Sequence, residues 1–314
     1  NGLLPAIGRQ TTVQAIIAAK FNYLRFGVTG PMIKASQSDV GSFVRSAAYE
    51  LEMGYKDLAS DCNRQFSWDG SGKLCKVAAT TVASTSLTVS SREAASPGEQ
   101  GDKFLDVGMV VDLVDTNGAV QVSGITINAI TSASTSTLTL SVAVSATSGW
   151  FLIRSGASSN EVQGILYALD GATSGLAYSV DRALYPAFQG NVTDNGGAQV
   201  TLDKLQKVYN DGLRRGGTAN GKYSAGYLDF DSLRMYQKLL TADKRYINTV
   251  KGDGGFAHKD KFYLDFNGIP LVPDKDCPQR FFFLPMDVFK MYVLAEMEFA
   301  DETGSMYIAQ TSVD

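Results

Sequence analysis

The chain has 314 residues, 44% of them hydrophobic and 19% charged, with a net charge of −4. That length fits two or three compact units at roughly 100–200 residues each, and no apolar run approaches the ~20 residues that span a bilayer, so the reading is a soluble protein with no membrane partner and no export signal. A sequence pI near 5.2 argues against a dedicated nucleic-acid binder, and Cys62, Cys75 and Cys277 lack close-paired spacing, so they read as reduced thiols.

In chain order, residues 13–29 alternate loosely through Val13, Ile16, Phe21, Tyr23, Phe26 and Val28, which predicts extended structure ending at Gly30-Pro31. Ser38 is placed to cap a helix. From Val40 the apolar positions fall at Phe43, Val44, Ala47, Leu51, Tyr55, Leu58, Cys62 and Phe66, a sustained i, i+3, i+4 stripe. Arg45, Glu52, Lys56, Asp57, Ser60 and Arg64 lie mostly off it, and Glu52 with Lys56 forms an i, i+4 pair. Such a helix would be roughly 40 Å long at 1.5 Å per residue, which demands neighbours along its whole length. Gly70-Ser71-Gly72 ends it.

Composition changes at about Val77. From there to Ile153 the chain is rich in Thr, Ser, Val and Ala and poor in charge. Asn117-Gly118 between Met109–Val114 and Ala119–Ile127 is a strong hairpin signal. Further strands are predicted at Ser86–Val89, Thr137–Val142 and Trp150–Ile153, which together imply a small inserted β-barrel or sandwich. Beyond Asn160 the pattern is mixed. Thr201 caps a helix through Leu202, Leu205, Val208, Tyr209 and Leu213, closed by Gly216-Gly217, and a second helix runs from Asp231 to Leu240. Phe262–Phe266, Ile269–Val272 and Phe281–Leu284 read as strands, whereas Val288–Met297 fits either a strand or a helix.

Catalytic and ligand motifs fail on context. The segment from Gly216 to Tyr223 approaches a phosphate-cradling loop at Gly221-Lys222, but Tyr223 stands where a Ser or Thr must ligate magnesium, and the segment follows a helix where the motif needs a strand. A helix cap and loop is the better reading. His258 is the one histidine and lies in a Gly- and charge-rich loop without a nucleophile signature, and one His with three scattered Cys cannot build a zinc site of usual spacing. Asp106, Asp112 and Asp115 lack the calcium-loop spacing and read as a strand's solvent face. Arg214-Arg215, Lys244-Arg245 and Lys259–Lys261 read as solvated loop charges. Phe281-Phe282-Phe283 reads as a strand buried on both faces. The expectation is therefore no catalytic, cofactor-binding or metal residue, and a protein that is not an enzyme.

The order of segments carries a resemblance. Gly2-Leu3-Leu4-Pro5-Ala6, then Lys20–Gly30, the helix to Asn63-Arg64-Gln65 and Asp69-Gly70-Ser71-Gly72 resemble the HK97-type major capsid proteins of tailed double-stranded DNA bacteriophages. Asn160–Gly164, Asp181-Arg182-Ala183-Leu184-Tyr185-Pro186 and Phe266–Val272 look like segments that recur in one branch of that family. The resemblance implies an α+β, HK97-like capsid fold: extended loop, long spine helix, and peripheral and axial domains. The chain would divide into an extended-loop portion (1–36), a spine helix (37–76), an inserted all-β domain (77–155), an axial domain (156–275) and a return to the peripheral domain (276–314). The first half of the extended loop would precede Asn1. Residues 1–19 hold no lysine, so the isopeptide cross-link of some members is not carried over.

The function implied is a structural major capsid protein. It would self-assemble into hexamers and pentamers of an icosahedral virion shell in the host cytoplasm, with portal, scaffolding or decoration proteins as partners. It would enclose double-stranded DNA without sequence-specific binding. Closed rings need heterologous contacts, and Leu3, Leu4 and Ile7 are the expected subunit-interface residues. The inserted domain would face outward. An encapsulin-like nanocompartment shell is the alternative, separable by its cargo. A carbohydrate-active enzyme with a β-sandwich accessory module ranks below both.

Overall fold

The computed structural model describes residues 12–24, 46–93, 100–196, 200–220, 223–243 and 264–294. Its main core grows from the charge-poor run of Val, Ile, Leu, Thr and Ser. Six strands, β1 (Lys73–Val77), β2 (Thr81–Ser91), β3 (Val110–Val114), β4 (Val120–Thr131), β5 (Thr135–Ala146) and β6 (Phe151–Arg154), close into an antiparallel barrel in the order β1-β2-β5-β4-β3-β6. Side chains alternate across each strand, so Leu87 and Val89, Val111 and Leu113, Ile125 and Ile127, Leu138 and Leu140 all point inward with Leu152. Each such burial contributes roughly 1.5–3 kcal/mol. Outward rows of hydroxyls face each other across β2 and β5, with Ser86, Thr88 and Ser90 opposite Thr139, Thr137 and Thr135. The turn between β3 and β4 uses Gly118 at φ 88°, while the Asp115 carboxylate accepts the N–H groups of Asn117 (2.8 Å) and Ala119 (2.9 Å).

Beyond the barrel come a single helical turn, α2 (Ile165–Ala168), and a two-stranded hairpin, β7 (Leu176–Ala177) with β8 (Val180–Asp181). A four-stranded sheet follows, with β9 (Ala225–Leu228), β10 (Leu264–Phe266), β11 (Ile269–Pro273) and β12 (Phe281–Leu284) in the order β10-β11-β9-β12. Helices α3 (Leu202–Asn220) and α4 (Phe230–Asp243) complete its core, where Leu205, Leu228, Tyr236, Phe266, Leu271 and Phe283 are buried together. Thr201 caps α3 as expected, its hydroxyl accepting the Lys204 N–H at 3.3 Å. The expected stop at Gly216-Gly217 is not used; α3 runs on to Asn220.

These observations overturn the expected α+β HK97-like capsid fold with its long spine helix and its peripheral and axial domains. The described residues are mostly β around the closed barrel, and their four α-helices are short. Helix α1 (Ser46–Ser67) has 22 residues, about 33 Å at 1.5 Å each. The physical reason lies in its stripe. Tyr49, Leu51 and Tyr55 are 47%, 38% and 57% exposed, so among the described residues no layer covers the helix's first turns. A helix packed mainly at its far end cannot organise a domain, whereas the barrel strands bury their inward-facing rows.

Candidate functional site

The end of α1 is polar where the stripe leads one to expect apolar packing, and that polarity ties three parts of the chain together. Arg64 is buried, and its Nε and Nη2 donate to Asp61 at 3.1 and 3.0 Å. Its Nη1 donates to Glu161 at 3.0 Å, and Nη2 also meets the second Glu161 oxygen. Burial works against the charge on Arg64, but Glu161 and Asp61 outweigh it and hold the guanidinium above its ordinary pKa. Arg154, at the end of β6, closes on Asp61 at 3.0 Å and thereby fastens the barrel to the helix.

The residues beside Arg64 reach the four-stranded sheet. Asn63 Nδ2 donates to Asp274 (3.2 Å) and Asp276 (2.8 Å), Trp68 Nε1 donates to the Asp276 carbonyl at 2.9 Å, and Ser67 Oγ lies 2.7 Å from the Tyr227 hydroxyl. Burial pushes the Tyr227 phenol well up, against the Ser67 hydrogen bond. Arg92 stacks 4.3 Å over Trp68 and pairs with Asp69 at 2.6 Å, and Gly70 and Gly72 take φ of 77° to turn the chain into β1.

Across this junction runs a strap, residues 12–24, extended and without regular structure. Its grip on the chain is polar. Ile16 N–H donates to the Tyr178 carbonyl at 2.8 Å, Lys20 Nζ to the Ser159 carbonyl at 2.8 Å, and the Asn22 and Gln65 amides exchange two hydrogen bonds of 3.2 Å. Leu24 lies against Gly54, where an added Cβ would sit 2.6 Å from Leu24 Cδ2. The strap's apolar side chains face away. Ile16, Ile17, Phe21 and Tyr23 are 58%, 51%, 60% and 83% exposed. A second exposed apolar run follows β12 at Met286, Val288, Met291, Tyr292, Val293 and Leu294.

Of the residues singled out in the sequence, Leu3, Leu4, Ile7, His258, Lys244-Arg245, Lys259–Lys261 and Gly221-Lys222 lie outside the described residues. Asp106, Asp112 and Asp115 are not brought together. Asp115 caps its turn, and Asp112 is not a solvent-face residue: it is buried, accepting the N–H groups of Gly124 (2.8 Å) and Gly156 (2.9 Å). Among the described residues no group of three or more His, Cys, Asp or Glu is placed to hold a metal ion, and no helix is long and apolar enough to cross a membrane. Glu161, Asp274 and Asp276 were not foreseen as partners of α1. A signal existed in Asn63-Arg64-Gln65, three polar residues on a helix end flanked by the apolar Cys62 and Phe66, but nothing local names what they bind. Compared with protein families, curated proteins and solved structures, the chain matches none of them.

Proposed function

We propose that this chain is a structural subunit that assembles with copies of itself, as the major shell protein of a double-stranded DNA virus. Assembly of this kind calls for exposed apolar chain and not for one particular fold. The observation that carries the proposal is the strap. The Ile16 N–H and the Lys20 and Asn22 side chains turn inward to the strap's own chain, while the Ile16, Ile17, Phe21 and Tyr23 side chains turn outward. An isolated domain gains by the opposite arrangement, and clustered exposed apolar side chains mark surfaces that a partner covers. Hexameric and pentameric rings enclosing DNA are the form of that assembly that the resemblance of residues 20–30, of Asn63-Arg64-Gln65 and of residues 181–186 supports.

Negative-stain electron microscopy with light scattering tests it. The purified protein is expected to form closed particles or rings at high concentration. Ile16→Asp with Phe21→Asp is expected to leave a folded, soluble protein, judged by an unchanged far-ultraviolet circular dichroism spectrum, that no longer assembles. Unimpaired particle yield from the double variant overturns the proposal. Nuclease-protected DNA is the expected cargo, and a co-purifying enzyme in its place overturns the viral part alone.

A further inference from the structure

The β7–β8 hairpin closes through two residues, Tyr178 and Ser179, whose φ angles are 49° and 65°. Its register, Leu176 opposite Asp181 and Ala177 opposite Val180, leaves a two-residue turn. The turn that matches strand twist there has left-handed φ at both central positions, where Asn and Gly are the usual occupants. Tyr and Ser hold it only under backbone strain. The carbonyl between these two residues, that of Tyr178, accepts the Ile16 N–H of the strap at 2.8 Å. Its direction is fixed by ψ of Tyr178 and φ of Ser179. Grip on the strap and strain in the turn are therefore one degree of freedom.

A second observation lies three residues further on. Arg182 is buried and donates Nη1 to Asp170 at 2.8 Å, with its guanidinium 5.9 Å from the centre of the Tyr167 ring. That ring meets Tyr178 edge-on at 5.2 Å. The Nε and Nη2 groups of Arg182 are buried with no hydrogen-bond partner among the described residues. Beside the strained turn, then, stand two donors that the strap-bound arrangement leaves unsatisfied. A hairpin that turns an acceptor towards them gains what the bound arrangement lacks.

We propose that the β7–β8 hairpin is a two-state catch for residues 12–24. With Tyr178 and Ser179 left-handed it grips the strap; once the strap leaves, the turn relaxes to the backbone that Tyr and Ser prefer. Because the strap carries exposed apolar side chains, the catch also sets how readily they reach a neighbour. That consequence rests on the assembly proposed above; the catch itself does not.

Hydrogen exchange of the full chain, read by mass spectrometry on peptides covering residues 12–24, tests the catch. Glycine takes left-handed φ without penalty, so Ser179→Gly is expected to slow exchange in the strap by roughly fivefold or more. Ser179 is exposed, so the variant removes no core contact. Ile16→Pro removes the donor and is expected to move the Tyr178 and Ser179 backbone chemical shifts out of the left-handed range. Unchanged or faster strap exchange in Ser179→Gly overturns the catch, as do unchanged shifts in Ile16→Pro. If strap exchange slows but light scattering shows an unaltered assembly rate, the link to assembly is overturned and the catch stands.

Discussion

Replacing Arg64 by Met removes the charge at the centre of the junction and keeps most of its volume. Arg64, Asp61 and Glu161 have side chains only 4%, 10% and 5% exposed, so water is not there to take the place of the guanidinium. Asp61 keeps Gln65 (2.8 Å) and Arg154 (3.0 Å), but Glu161 loses the group that both its oxygens accept from. Leaving one member of a buried pair uncompensated costs about 3–5 kcal/mol. At roughly 2–3 °C per kcal/mol for a chain of this size, Arg64→Met is expected to melt about 6–15 °C lower. Removing both charges, Arg64→Met with Glu161→Leu, is expected to recover most of that loss, because replacing a buried ion pair by well-packed apolar groups is often neutral or better. Chemical denaturation of the two singles and the double closes the cycle. The reasoning fails if the single variant costs under about 1 kcal/mol, or if the double costs the sum of the two singles.

Three further outcomes are expected. In α3 a Cβ on Gly212 would collide with the Tyr223 hydroxyl, so Gly212→Ala is expected to destabilise by about 1–3 kcal/mol, with partial rescue by Tyr223→Phe in the same denaturation assay. Burial pushes the Cys75 and Cys277 thiols far up, and burial with the nearby Asp61 charge raises Cys62 less; a thiol reagent should label Cys62 in the native protein and all three in denaturant, and rapid native labelling of Cys75 or Cys277 would contradict the barrel and sheet cores. Acid titration has contributions of opposed sign, of which Asp112 and Asp229 are examples. Burial raises Asp112, but the Gly124 and Gly156 N–H groups outweigh it and hold the carboxyl below its usual range, so its stabilisation is present above about pH 3.9, the unfolded value, and is lost as pH falls through the folded pKa. Asp229, raised by burial, acts in the other direction: its contribution is present below the unfolded value and is lost as pH rises through the folded one. Asp112→Asn should therefore flatten the loss of stability below about pH 4, and an unchanged acid limb would refute the assignment.

What the sequence disclosed and what it hid divides along the range of the interactions. Asn117-Gly118 and the alternating Val, Ile and Thr around it are local signals, and the hairpin of β3 and β4 forms there. Phe281–Leu284 is a strand because four apolar residues in a row fit the buried side of a sheet. Strand β1 is not legible in the sequence because it follows directly on Gly70-Ser71-Gly72, which reads as a helix terminator, and because Lys73 and Lys76 break its apolar pattern. It is held extended by its pairing with β2 on one side and, on the other, with β6, some 75 residues away in the chain, with Cys75 opposite both Ser91 and Leu152. Strand β9 was missed for the same reason: Gly226 weakens it locally, while its pairing with β11 on one side and β12 on the other holds it. The α1 stripe misled in the opposite sense. Periodicity tells which face of a helix is apolar, but not whether the same chain covers that face.

The closure of the barrel has a consequence for how such a protein changes over generations. Lys73 at the start of β1 stands opposite Ile153 near the end of β6, so the chain goes in and comes out one strand spacing apart, about 4.8 Å. A bridge of a few Gly and Ser residues is long enough to join those two points directly. The whole barrel can thus be lost, gained or exchanged for another in one genetic event while the helix before it and the sheet after it keep their positions, provided that the Arg154–Asp61, Arg92–Asp69 and Arg280–Glu93 ion pairs are replaced.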